Sequence, residues 1–125
     1  EYDKTAARES GVKSYTEEDA RNKNKEEYDK TAAAYEEWSE SNVLMQKCSY
    51  YSVMNEMEKE QIEGKTFLEV GCGPCPLGQR LAKKGAKKIY GLDISQEMIT
   101  NTRKRLDEQG LSAQFELVCG DIFDQ

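Results

Sequence analysis

Residues 67–78, Phe-Leu-Glu-Val-Gly-Cys-Gly-Pro-Cys-Pro-Leu-Gly, constrain the fold of this chain more than any other stretch. A short apolar run suited to a buried strand ends in two glycines one residue apart, and a helical pattern follows. Gly71 and Gly73 let the backbone bend sharply and present main-chain atoms with no Cβ in the way. Pro76 suits the first turn of the helix, where its missing N–H costs nothing. Two later segments repeat the strand and end in acids instead. Ile89-Tyr90-Gly91-Leu92-Asp93 puts Asp93 at the end of one strand, and Phe115-Glu116-Leu117-Val118-Cys119-Gly120-Asp121 puts Asp121 at the end of another.

Between these anchors the pattern alternates. Thr66–Val70 is expected as strand one, Leu77–Lys84 as a helix closed by Gly85, and Lys88–Leu92 as strand two. Ser95 caps the next helix, with Met98, Ile99, Thr102 and Leu106 on its buried face and Gly110 at its end. Gln114–Val118 is strand three. Such alternation implies parallel strands with right-handed helical crossovers. The fold class is therefore α/β, the first three strands of a Rossmann-like doubly wound parallel sheet, preceded by N-terminal helices. Because the chain stops just after strand three, it is expected to be a fragment of a longer protein. The far edge of strand one would then be bare and prone to self-association.

Three regions are expected: a polar, flexible extension over 1–26, a helical lid over 27–64, and the α/β portion over 65–125. Thr16 and Asp19 form a capping-box-like start, with helix running to about Ser39. Tyr28, Ala32 and Tyr35, with Trp38 next along, recur at helical spacing. Ser41 or Asn42 caps a second helix whose stripe is Leu44, Cys48, Tyr51 and Met54; core packing is the simplest account of both stripes. Glu1-Tyr2-Asp3-Lys4-Thr5-Ala6-Ala7 recurs identically at Glu27–Ala33, a local duplication and not a solenoid array.

A net charge of −6, with no basic run longer than Arg103-Lys104-Arg105, argues against a nucleic-acid partner. No apolar stretch is long enough for a membrane span, and no apolar signal core stands at the N-terminus. Four cysteines in such a chain are expected as reduced thiols of a cytoplasmic protein. Histidine is absent, which rules out His-based metal sites and Ser-His or Cys-His pairs within these residues.

A strand ending in glycines followed by a strand ending in Asp is how an open parallel sheet holds an adenosine-bearing cofactor at its carboxyl edge. Over residues 28–38 and 66–123, this order resembles the class I S-adenosylmethionine-dependent methyltransferases. The resemblance implies methyl transfer from S-adenosyl-L-methionine to a small-molecule acceptor first and a protein side chain second. In that family's pattern, acid-x-Gly-x-Gly-x-Gly, Glu69, Gly71 and Gly73 fit and Cys75 replaces the third glycine. By resemblance Glu69 and the main chain from Gly71 through Cys72 to Gly73 orient the amino-acid tail, and Asp93 takes the ribose hydroxyls. Ile94 and Met98 line the adenine pocket, Asp121 accepts from the adenine amine, and Ile122 offers a backbone N–H and an apolar face. Tyr28 and Tyr35, in an N-terminal lid, would face the sulfonium. No catalytic base is identified, since the family's acceptor-binding residues mostly follow the fourth strand. A half-domain that binds cofactor or a partner chain without transferring anything is the alternative.

Two rival motifs overlap the glycine turn. A dinucleotide fingerprint, Gly-x-Gly-x-x-Gly, would need glycine where Pro76 stands. Cys72-Gly73-Pro74-Cys75 matches a thiol-redox motif, but no aromatic residue precedes Cys72 and no proline follows Pro76. A zinc site would need Cys48 and Cys119 as well, at distant positions. The plain reading of Asp93 is a helix-capping acid beside Ser95, and that of the two cysteines is small residues filling a turn.

Overall fold

The computed structural model describes residues 15–124. Helix α1 spans Glu17–Ser41, a π-helical turn spans Met45–Ser49, and α2 spans Tyr50–Lys59. The α/β portion follows as β1 (Thr66–Val70), α3 (Pro76–Lys83), β2 (Lys88–Asp93), α4 (Gln96–Glu108) and β3 (Phe115–Cys119). The strands pair in the order β1-β2-β3, all parallel. The parallel sheet and its crossovers thus fall within a residue or two of expectation.

Strand register decides which face is core. Phe67, Ile89 and Phe115 align across the sheet, as do Glu69, Gly91 and Leu117. Side chains alternate along a strand, so these residues share one face. Leu81 and Ala82 of α3 and Ile99 and Leu106 of α4 pack on that face. Both helices thus lie on one side of the sheet, as right-handed crossovers stepping in the same direction require. The opposite face carries Leu68, Val70, Tyr90 and Val118, all exposed among the described residues.

Gly91 sits at the centre of the covered face. A Cβ there would lie 2.7 Å from Leu117 Cδ2, 2.9 Å from Cys75 Sγ and 3.0 Å from Cys72 Sγ. The space above Gly91 is therefore filled by the two thiols of the turn. Cys75 itself adopts φ 53°, a left-handed conformation that explains why glycine suits that position.

Two expectations for the N-terminal region have different outcomes. First, α1 begins at Glu17, at the Thr16–Asp19 start marked in the sequence, so the helical reading holds over residues 17–26 and the flexible extension drawn across 1–26 does not. The cause is a complete capping box, with Asp19 N–H donating to Thr16 Oγ1 at 3.0 Å and Thr16 N–H to Asp19 Oδ2 at 2.9 Å. Glu17, Glu18 and Asp19 also favour the positive end of the helix dipole. The second copy of the duplicated segment, Glu27–Ala33, lies within α1; the first lies outside the described residues.

Second, the stripe Leu44, Cys48, Tyr51 and Met54 is not buried as expected. Only Met54 is in the core, while Leu44, Cys48 and Tyr51 face solvent. The π-helical turn is the reason. It inserts an extra residue per turn and rotates the inward face onto Met45, Gln46 and Tyr50, which are half-buried. Asn42 caps this segment by accepting from Met45 N–H at 3.0 Å.

Helix α1 buries only Ala32 and Ser39, so apolar packing contributes little to its seating. Charge supplies the rest. Arg105 of α4 lies 2.8 Å from Glu36 and also pairs with Glu40. Both carboxylates come from one face of α1, and the Arg105–Glu36 pair is largely shielded from water.

Replacing Gly91 with Ala should force Leu117 or the thiols to move. Urea unfolding should show a loss of about 1–3 kcal/mol, the usual cost of overpacking a core, with an unchanged m-value.

Candidate nucleoside-binding cleft

The carboxyl ends of the three strands open into a cleft of about 970 Å³. That volume lies within the range of small-molecule and cofactor sites, roughly 300–1,000 Å³. Its floor is the turn Gly71–Pro74, the Asp93–Ile94 pair and the segment Gly120–Phe123. Tyr28 and Tyr35 of α1 form its roof, joined by Tyr50 at the start of α2.

Gly71 and Gly73 have φ of 62° and 48°, the left-handed values expected of a tight turn. Three bonds hold this turn in place. Cys72 N–H donates to Leu92 O at 3.0 Å, Gly73 N–H to Asp93 Oδ2 at 2.8 Å, and Thr102 Oγ1 to Gly73 O at 2.9 Å. A Cβ on Gly71 would meet nothing within 4 Å, so the cleft-facing side of the turn is open.

Asp93 makes the local cap that the plain reading expected and a second bond to the glycine turn. Its Oδ1 accepts from Ser95 N–H at 2.9 Å, a local cap at the start of α4, and its Oδ2 holds the glycine turn. An ionised carboxylate has about four acceptor sites, so two backbone bonds leave capacity for two hydroxyls. Ser95 also caps α4 as expected, accepting from Met98 N–H at 3.1 Å.

The residues expected around an adenine meet on the same side. Met98 is buried and Ile94 half-buried, and both line the cleft. Asp121 and Ile122 lie across from them at the end of β3. Asp121 Oδ1 accepts from Phe123 N–H at 3.0 Å, and Arg21 Nε sits 3.5 Å from its Oδ2. Arg21 also lies over the Phe123 ring. Sequence reasoning missed Arg21 because it falls where an extension was expected. It missed Tyr50 because the π-helical turn shifts the helical phase. The paired tyrosines of α1 gave a usable signal for the roof: Tyr28 and Tyr35 pack edge to face at 6.0 Å. Burial raises the Tyr35 phenol, helped by the neighbouring Tyr50, Tyr28 and Asp93, so it remains a neutral donor.

Glu69 lines the cleft, but its carboxylate is engaged with α3. Oε2 accepts from Gly78 N–H at 2.8 Å, satisfying an orphan donor of the helix start. Burial pushes its carboxyl above the usual range. The backbone N–H groups of Gly78 and Leu77, the Cys75 thiol and Arg80 act in the opposite direction without outweighing it. The Cys75 thiol is in turn raised, first by its contact with Cys72 and then by burial, so it stays a protonated filler of the turn. Both thiols are free and buried. Among the described residues no cluster of metal-ligating side chains occurs, and no helix is long and apolar enough to cross a membrane.

Glu69→Ala should cost about 1–3 kcal/mol, the penalty for orphaning buried donors. Glu69→Gln retains an acceptor for Gly78 and removes the charge. A carboxyl raised in the folded state binds more protons folded than unfolded, so it loses stability as pH rises from about its free value toward its folded one. The stability of the native chain relative to Glu69→Gln should accordingly fall between pH 4 and neutrality; urea titrations across that window measure it.

Residues 67–125 match the family model described as a methyltransferase domain. The ribosomal protein arginine N-methyltransferase rmt3 of Schizosaccharomyces pombe is 41% identical over 66 residues, covering 53% of this chain and 12% of that protein. The ribosomal protein L11 methyltransferase of Tolumonas auensis is 33% identical over 61 residues, covering 49% of this chain and 21% of that protein. The chain thus spans no more than about a fifth of either relative's length. Among solved structures, the DhpI-SAH complex superposes with a TM-score of 0.67 over 88% of this chain and 49% of its own, at 22% identity, a likeness of fold. The glycine turn and the two strand-end acids thus meet in one cleft within the residues that match the methyltransferase domain.

Proposed function

We propose that the cleft binds S-adenosyl-L-methionine and that the polypeptide carrying this chain transfers its methyl group to an acceptor. The observation that carries this reading is the convergence of Gly73, Asp93 and Asp121 on a single cleft. The main chain at Gly71, Cys72 and Gly73 would hold the amino-acid tail, where the turn is open to a close approach. Asp93 would accept from the ribose hydroxyls. Ile94, Met98 and Ile122 would enclose the adenine, with Asp121 accepting from its amine. Tyr28 and Tyr35 would turn ring faces toward the sulfonium, an attraction known for cations over aromatic rings. Glu69 would serve from beneath, by fixing α3 against the turn.

When bound, the cofactor supplies an electrophilic methyl carbon. The chain's part is to orient it and keep water away. Residues 27–64 form the lid in this reading, and 65–125 the cofactor-binding half. The acceptor is a small molecule or a protein side chain; the names of the two relatives favour protein. The acidic balance disfavours nucleic acid. The edge of β1 is proposed as a surface for self-association when these residues stand alone.

The alternative is a module that binds cofactor without transferring a methyl group. Thermal-shift and calorimetric titration with S-adenosylhomocysteine and NADH test the site. S-adenosylhomocysteine should raise the melting point by linkage and NADH should not. Asp93→Ala should weaken S-adenosylhomocysteine about 10–100-fold, as for loss of a charged hydrogen bond. Stabilisation by NADH alone would refute the reading. Radiolabelled methyl incorporation by the natural polypeptide separates enzyme from binding module.

A further inference from the structure

Asp29 lies on α1, outside the cleft lining, and joins the lid to the floor. Its Oδ1 accepts from Ser95 Oγ at 2.5 Å and from Glu97 N–H at 3.3 Å. Helix α4 is therefore capped twice, by its own Ser95 and by a residue 66 positions earlier. Ser95 is fully buried. Its N–H donates to Asp93 Oδ1, and Asp93 Oδ2 accepts from Gly73 N–H. An unbroken run of hydrogen bonds thus links Asp29, Ser95, Asp93 and the glycine turn.

The Ser95 hydroxyl has one proton to give, and Asp29 takes it. Its oxygen is left to accept from Met98 N–H. Without Asp29, a buried hydroxyl proton must find another acceptor or go unsatisfied. Asp93, already bonded to the same residue's N–H, would offer one. Turning there, the hydroxyl would consume a lone pair otherwise open to the cleft.

We infer that Asp29 is a positioning residue for the sugar-binding carboxylate: by holding the Ser95 hydroxyl away from Asp93 it keeps that acid free for ribose, and it couples the seating of α1 to the grip on the nucleoside. The inference rests on the reading that the cleft binds S-adenosylmethionine. Asp29 and Ser95 were not among the expected site residues.

Calorimetric titration of the natural polypeptide with S-adenosylhomocysteine and its 2′-deoxyribose analogue tests it. The wild type should prefer the ribose ligand. Asp29→Ala should weaken S-adenosylhomocysteine about tenfold and the deoxy analogue far less, so that the preference shrinks. Asp29→Asn, which keeps the acceptor oxygen, should retain most of it. Ser95→Ala removes the competing hydroxyl, so it should preserve the preference and make Asp29→Ala silent on top of it. Should Asp29→Ala fail to fold, Asp29→Asn and Ser95→Ala still decide the matter: loss of the preference in either overturns the inference. Equal weakening of both ligands by Asp29→Ala, or no change in either, also overturns it while leaving the cofactor reading intact. A wild type that binds neither ligand overturns both.

Discussion

The hydrogen bond from Gly73 N–H to Asp93 Oδ2 is the contact on which the rest of the cleft depends. It ties the turn after β1 to the end of β2, and the parallel register already holds those two strands side by side. An acid bonded to two backbone N–H groups cannot swing away, so its remaining lone pairs point in set directions. Thr102 fastens the same glycine from the opposite side through its carbonyl. A turn built from residues with little conformational restraint thereby becomes rigid. Preorganisation of this kind reduces the entropy that a ligand would otherwise have to supply on binding.

The two halves of the chain are held by different forces. The α/β portion closes around apolar contacts between Ile89, Leu81, Ile99, Leu106 and Leu117. Helix α1 instead rests on α4 through Asp29, Glu36 and Glu40, with few buried side chains of its own. This division is suited to a lid. The exposed Arg21 end of this seam exchanges its partner with water at modest cost, whereas the sheltered Arg105 and Ser95 contacts do not. The aromatic residues of α1 are thereby left free of core duty and can line the cleft.

Strand and helix positions over 66–119 could be read from the sequence because each signal there is local and redundant. Glycines, proline, Ser95 and strand-end acids mark every boundary. The same holds for Thr16 and Asp19, whose cap extends α1 through residues that composition alone makes look unstructured. What escaped reading was non-local. The π-helical turn leaves no composition signature, yet it moves Tyr50 inward and Leu44 outward. The engagement of Glu69 with Gly78 depends on how close α3 lies to β1. Asp29 and Arg21 belong to no local motif; their partners, Ser95 and Asp121, are brought near only by the tertiary fold.

The uneven shielding along α1 has a consequence for how the roof responds to its surroundings. The Glu36–Arg105 pair is tucked away from bulk ions, while Arg21 at the other end is 41% exposed. Dissolved ions screen exposed charges far more than sheltered ones. Rising ionic strength should thus loosen the Arg21 end first, with the deeper anchor still engaged. The helix would behave as a hinged flap, its doorway above Asp121 and its pivot at Arg105.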